Sequence, residues 1–210
     1  MRNFVFAGAL VLAGSVGAQA ADLVVNAAPA AVDTSLVNSS IYVQLLGGVV
    51  QGLDVTYFRD GADDGSWPTK MGYSFAATVG VVVIDGLSLE ADVLHSSRQL
   101  DDPDEVTYST TSLMGNIKYT LGINDMFSVY GAAGLGYVWG NETWNSGSQD
   151  YESFGYQLIA GVEARFTDNI SGVLEYRFQD TFDKSNYVGP EDRGLSIPVS
   201  TVLAGLKLSF

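Results

Sequence analysis

Thr201-Val202-Leu203-Ala204-Gly205-Leu206-Lys207-Leu208-Ser209-Phe210 is the stretch that decides the fold. Apolar residues stand at 202, 204, 206, 208 and 210, and the one charge, Lys207, falls on the opposite parity. A period of two is that of a strand with one apolar and one polar face. A soluble domain normally finishes in a solvated, frayed segment. This stretch reaches an aromatic residue in mid-strand.

The same period recurs upstream. Eight segments alternate in this way, at 40–51, 72–84, 87–97, 107–121, 127–139, 153–166, 170–179 and 199–210. Short connections at 84–86, 122–126 and 167–169 alternate with long polar ones near 52–71, 98–106, 140–152 and 180–198. Strands joined this way run antiparallel, with every short turn at one end. Residues paired across a hairpin point to the same side of the sheet, so the turns test the faces independently. A three-residue loop at Ile84-Asp85-Gly86 pairs Val83 with Leu87 and gives Gly86 the left-handed position. The same reading of Thr167-Asp168-Asn169 pairs Phe166 with Ile170.

The two faces then separate by chemistry. One carries Ile41, Leu45, Phe75, Val79, Leu89, Val93, Leu113, Ile117, Leu135, Leu158, Val162, Leu174 and the Val202 to Phe210 set, with no charge in its central spans. Tyr73, Tyr137, Trp139, Phe154, Phe166, Phe178 and Phe210 lie near strand ends, where interfacial girdles form. The other face carries the acids Glu90, Asp92, Glu163 and Glu175 and the bases Lys118, Arg165, Arg177 and Lys207, an equal number of each sign. A water-facing surface has no need of such balance, whereas a closed interior must pair its charges. The expected fold is therefore all-β: an eight-stranded, antiparallel, up-and-down transmembrane barrel over 40–210, apolar outside and ionic within. A soluble ligand-binding barrel of the lipocalin kind would place its apolar face inside instead.

Composition agrees. Of 210 residues, 47% are hydrophobic and 16% charged, and cysteine is absent. The net charge of −14 excludes nucleic acid as a partner, because phosphate binding needs basic patches. Residues 1–20 read as a cleaved signal peptide: Arg2, the apolar run of "FVFAGALVLAG", and a small-residue site at Ala18-Gln19-Ala20. Residues 21–39 read as an N-terminal periplasmic linker.

"SLEADV" (88–93), "SLMGNIKY" (112–119), "VYGAAGLGY" (129–137), "GYQLIAGVEARF" (155–166), "LEYRF" (174–178) and "LAGLKLSF" (203–210), with the "AQA-ADL" junction, carry a resemblance. The chain resembles the small eight-stranded outer-membrane barrels of the OmpA/OmpX/opacity superfamily, of the alphaproteobacterial surface-antigen type. That resemblance implies integral residence in the outer membrane, with both termini and the short turns in the periplasm and the four long loops outside. It also implies that Phe210 carries the assembly signal read by the outer-membrane barrel assembly machinery. A peptidoglycan-binding domain after the barrel is not expected, so the tethering role of larger relatives is not implied.

On that orientation the loop side holds fifteen acids and five bases, a crown of −10. Its expected partners are outer-membrane lipids and lipopolysaccharide, the latter through divalent cations, and host or environmental surface ligands. "DGADDG" (60–65) and "DDPDE" (101–105) contain hard oxygen ligands but lack the spacing of a calcium loop, so no metal site and no cofactor is expected. His95 and Ser97 share the lipid-facing parity near the outer rim, the spacing some lipid A-deacylating barrels use. A serine nucleophile needs a base that is itself oriented, and no acid on that face supplies this. The expected function is a non-enzymatic, envelope-stabilising and surface-contacting barrel. The alternatives are a narrow passive solute channel and a lipid A-modifying enzyme.

Overall fold

The computed structural model describes residues 41–51, 53–59, 62–101, 106–145, 147–182, 193–196 and 198–210. The signal and linker segments lie outside these, as do residues 60–61 and 102–105 of the two acidic runs considered for calcium.

Eleven strands are present among the described residues. In chain order they are β1 (Ile41–Val50), β2 (Val55–Arg59), β3 (Ala62–Trp67), β4 (Gly72–Ile84), β5 (Leu87–Gln99), β6 (Thr107–Gly122), β7 (Phe127–Trp144), β8 (Gly147–Arg165), β9 (Ile170–Thr181), β10 (Arg193–Ser196) and β11 (Val199–Ser209). Eight of them close into one antiparallel barrel in the order β1-β11-β9-β8-β7-β6-β5-β4. The seam runs from Tyr42 opposite Ser209 to Val50 opposite Thr201. The Phe210 amide extends it by donating to the Ile41 carbonyl at 2.9 Å. No described helix is long and apolar enough to cross a membrane; the crossing falls to the strands.

The lipid-facing assignment holds along the whole ring. Leu45, Phe75, Val79, Ile117, Leu135, Leu158, Leu174, Leu206 and Phe210 are exposed, and the residues between them are buried inside. Aqueous folding would not leave so much apolar surface uncovered. Lipid covers it.

Two of the three short turns form as their sequences dictate. Phe166 N–H donates to the Ile170 carbonyl at 2.9 Å, and the Thr167 hydroxyl accepts from Ile170 N–H at 3.0 Å. In the turn before β7, the Asn124 side-chain oxygen accepts from the amides of Met126 and Phe127 at 2.9 and 2.8 Å. At the first turn the structure corrects the expected pairing. Ile84, not Val83, pairs with Leu87, and Val82 pairs with Ser88, which leaves Val83 as a bulge. The bulge absorbs one residue, so the apolar faces still agree on either side. Gly86 has a φ of 76°, the left-handed geometry its place required.

The long connections hold more structure than their polarity suggested. β2, β3 and β10 form a separate three-stranded sheet in the order β10-β2-β3, built from the first and last long connections. β7 and β8 continue paired to Trp144 opposite Gly147, well past the expected ends near 139 and 153. A membrane crossing takes about ten residues of tilted strand, so the 18 and 19 residues of these strands carry the hairpin beyond the bilayer.

A closed, hydrogen-bonded barrel resists detergent unfolding until heated. The membrane-fraction protein is expected to migrate differently on a denaturing gel before and after boiling. Identical mobility in both lanes would contradict a closed barrel.

Candidate functional site: the ionic interior and the outer rim

Strand alternation turns Glu90 and Asp92 of β5, Lys118 of β6, Glu163 of β8, Glu175 and Arg177 of β9 and Lys207 of β11 toward the lumen. Three ionic groupings form there. Lys118 Nζ lies 2.6 Å from Glu90, whose other contact is the Tyr42 hydroxyl, donating at 2.6 Å. Arg177 lies 2.6 Å from Asp92 through Nη1 and pairs with Glu175 through Nε. Lys207 Nζ reaches both Glu163 oxygens, at 3.1 and 2.9 Å.

Neutral side chains fill the remaining acceptor positions. Thr78 donates to Asp92 at 2.9 Å and Tyr130 to Glu175 at 2.7 Å. Gln157 donates to Asp92 and to Asn116 at 3.1 and 2.7 Å. Lys118 sits over the rings of Tyr42 and Tyr130, at 4.5 and 4.7 Å, and Lys207 over Tyr42 at 4.6 Å. These cation–π contacts tie the lysine pairs together through two tyrosines. Each tyrosine is aimed by a glycine across the strand. A Cβ on Gly80 would stand 2.2 Å from the Tyr42 ring, and one on Gly161 would stand 2.3 Å from Tyr130. Only glycine leaves room there for the ring to lie flat.

The lumen is crossed as well as lined. β5 and β9 are four strands apart in a ring of eight, and Arg177 joins them through Asp92. Ser112 of β6 donates to Gln179 of β9 at 2.7 Å, a second bond across the interior. Arg177 and Lys118 are each 1% exposed, so water has little access to the charges.

Arg165 departs from the sequence-based set. It lies exposed at the end of β8, next to the Phe166 turn, and contacts none of the three groupings. The buried network thus holds four acids and three bases. Two groups assigned to the outer crown instead turn inward. Arg98 is buried, with Nη1 3.4 Å from the Gln51 carbonyl, and Glu142 is buried beneath the Tyr108 hydroxyl at 2.9 Å. Arg98 and Glu142 carry opposite charges, so removing both leaves the sequence count of the loop side at fourteen acids and four bases. An apolar cluster of Leu46, Leu94, Ile159, Val173 and Leu203 shares the interior, where the sequence pattern predicts polar side chains and glycines.

On the outer wall, His95 and Ser97 do not engage each other. His95 Nδ1 is 2.9 Å from the Thr111 hydroxyl, and Ser97 accepts from Ser109 at 3.1 Å. Phe210 is 76% exposed on the lipid-facing side, at the end of the barrel that carries the short turns.

A family model described as the outer membrane protein beta-barrel domain matches residues 6–210. The chain belongs to this outer-membrane β-barrel family. Solved structures share the fold. OprG of Pseudomonas aeruginosa aligns with a TM-score of 0.60 at 14% identity, covering 82% of this chain and 96% of its own. Neisserial surface protein A aligns at 0.56 and 17% identity, covering 81% and 97%. A major outer membrane protein of Thermus thermophilus aligns at 0.51 and 13% identity, covering 82% and 100%. At these identities the likeness establishes the barrel fold alone; the outer-membrane location rests on the family match. No curated protein matches the chain.

The difference between Lys118 and Arg165 is testable. Lys118→Met leaves Glu90 buried without its cation and should cost about 3–5 kcal/mol. Arg165→Ala, on exposed surface, should stay within about 0.5 kcal/mol of wild type. Urea unfolding in lipid vesicles measures both, and equal losses would contradict the placement of Arg165 outside the network.

Proposed function

We propose that the protein is a non-enzymatic, closed-lumen barrel that stabilises the outer membrane and presents its acidic loops as a contact surface. The observation that carries this reading is the Arg177–Asp92 bridge across the lumen, reinforced by Lys118–Glu90 and Lys207–Glu163. Buried ions hold their positions only while paired, so a permanent pore through this layer would expose or strand them. The eight charged residues read from the sequence reduce, on this account, to seven structural ones, with Arg165 free to face the periplasm.

The orientation belongs to the same proposal. Short turns face the periplasm; the β7–β8 hairpin and the β2-β3-β10 sheet stand outside. Residues 1–20 direct export and are removed, 21–39 remain as a periplasmic linker, and Phe210 supplies the signal read by the barrel assembly machinery. Lipopolysaccharide packs around the rim, with divalent cations between its anionic groups and the −10 crown. The surface-antigen resemblance and the crown together support contact with host or environmental surfaces. The geometry around Ser97 favours the non-enzymatic reading, since its hydroxyl bonds to Ser109 and not to a base.

Planar-bilayer recording tests the closed lumen. Wild-type protein is expected to give no steady unit conductance, and Arg177→Ala should introduce channel openings if the variant inserts. Steady, reproducible steps in the wild type would replace this reading with that of a narrow solute channel.

A further inference from the structure

The outer wall is not uniform. On β5 to β8 the lipid-facing residues form rows along the hydrogen-bond direction, and the row Val93-Leu113-Tyr137-Phe154 is apolar. The next row toward the loops is His95-Thr111-Trp139-Glu152, and the one after it is Ser97-Ser109-Asn141-Asp150. Polarity therefore begins abruptly, on the parity that should face lipid. A groove opens here, lined by members of both polar rows.

Its side chains are pre-ordered. Asn141 Nδ2 donates to Asp150 at 2.6 Å, and the Thr143 hydroxyl bonds to the Asn141 oxygen. His95 is held by Thr111 at 2.9 Å, and Ser109 is held by Ser97. Trp139 stands 43% exposed, its ring braced by Tyr137 at 5.0 Å between centroids. The groove combines an aromatic platform with fixed carboxylate, amide and hydroxyl groups.

We propose that this groove is a saccharide subsite, which takes an uncharged sugar ring of a glycolipid seated against the outside of the barrel. A sugar has an apolar C–H face, which suits the Trp139 ring, and a rim of hydroxyls that both donate and accept, which suits Asn141, Asp150, Thr111 and Glu152. Two carboxylates line the groove and no Lys or Arg does, so a phosphate or other anionic headgroup is disfavoured. Hydrocarbon would offer nothing to the donor and acceptor positions these groups keep beyond their bonds to one another. Water would satisfy them but would gain nothing from the exposed indole. The position on the lipid-facing parity, directly beside the apolar row, selects a lipid-linked sugar over a free one. The occupant's place in the outer leaflet rests on the orientation proposed above.

The test uses the full-length mature chain carrying Trp67→Phe and Trp144→Phe, so that Trp139 alone reports. Refolded into phosphatidylcholine vesicles, it is titrated with a neutral monoglucosyl diacylglycerol, and separately with phosphatidylglycerol. The expected result is a saturable shift in Trp139 emission with the glycolipid and none with the anionic lipid. Asn141→Ala with Asp150→Ala should weaken that binding about tenfold, equivalent to roughly 1.4 kcal/mol. Boiled and unboiled gel mobilities confirm that this variant remains folded. A shift that fails to saturate, one matched by phosphatidylglycerol, or one untouched by the double substitution would overturn the proposal. Labelling of a tag in the β9–β10 connection on intact cells tests orientation by itself, so failure there is distinguished from failure of the site.

Discussion

Hydrocarbon supplies no hydrogen-bond partner, and from that one deficiency the structure follows. An open sheet in lipid would leave the outer edges of β1 and β11 unpaired, at a cost of several kcal/mol for each backbone group. Their register from Tyr42–Ser209 to Val50–Thr201 removes both edges together. The strand that opened the sequence reading is therefore the closing piece of the ring. Its parity decides every other parity, because a slip of one residue would send Lys207 into lipid and bring Leu206 and Leu208 inside.

Closure with eight strands leaves an interior about the width of its own side chains. Charges placed there have no water to fall back on, so each acid needs a base or several hydroxyl and amide donors. Glu175 shows the second solution: it shares Arg177 with Asp92 and takes a further bond from Tyr130. Three bases serve four acids because tyrosines, Thr78 and Gln157 supply the difference. The tyrosines have a double part, donating from the hydroxyl to a carboxylate and presenting the ring to a lysine. Gly80 and Gly161 make those ring positions possible, which ties the backbone's small residues to the electrostatics of the lumen.

The sequence was most readable where one face meets lipid and the other meets the packed interior, since only there does alternation carry a signal. The eight barrel strands and their faces emerge from it, as does the Phe166–Ile170 turn. Beyond the bilayer the outward face of a strand meets water instead of lipid, so it no longer has to be apolar. "NETWNSGSQDYE" at 141–152 is polar at nearly every position, a pattern that predicts loop where the outer halves of β7 and β8 are paired. β2 and β3 were hidden in the same way by "DVTYFRDGADDGSW" (54–67). Parity also says nothing of depth. Arg165 has the inward parity but stands at the mouth, in water, while Arg98 and Glu142, counted with the loops, lie inside. The interior apolar cluster escaped notice because Leu203 and Ile159 have apolar neighbours on the other face, which blurs the alternation locally.

If the lumen is closed as proposed, the question of function shifts from the interior to the outside of the barrel. All but Arg165 of the charges that look most like chemistry in the sequence are committed to one another within the ring. What remains free to meet another molecule is distributed over two surfaces: the acidic crown, and the polar rows of β5 to β8 just below it. These surfaces differ in kind. The crown presents like charge that only cations or basic partners can approach closely, and salt screens it over about 8 Å. The polar rows present fixed geometry, with His95, Asn141 and Asp150 each already oriented by a neighbour. Selectivity needs fixed geometry more than it needs charge, because long-range attraction steers an encounter but does not distinguish one sugar or peptide from another. On the proposed closed lumen, the wall of the barrel is the surface with the fixed geometry that telling ligands apart requires.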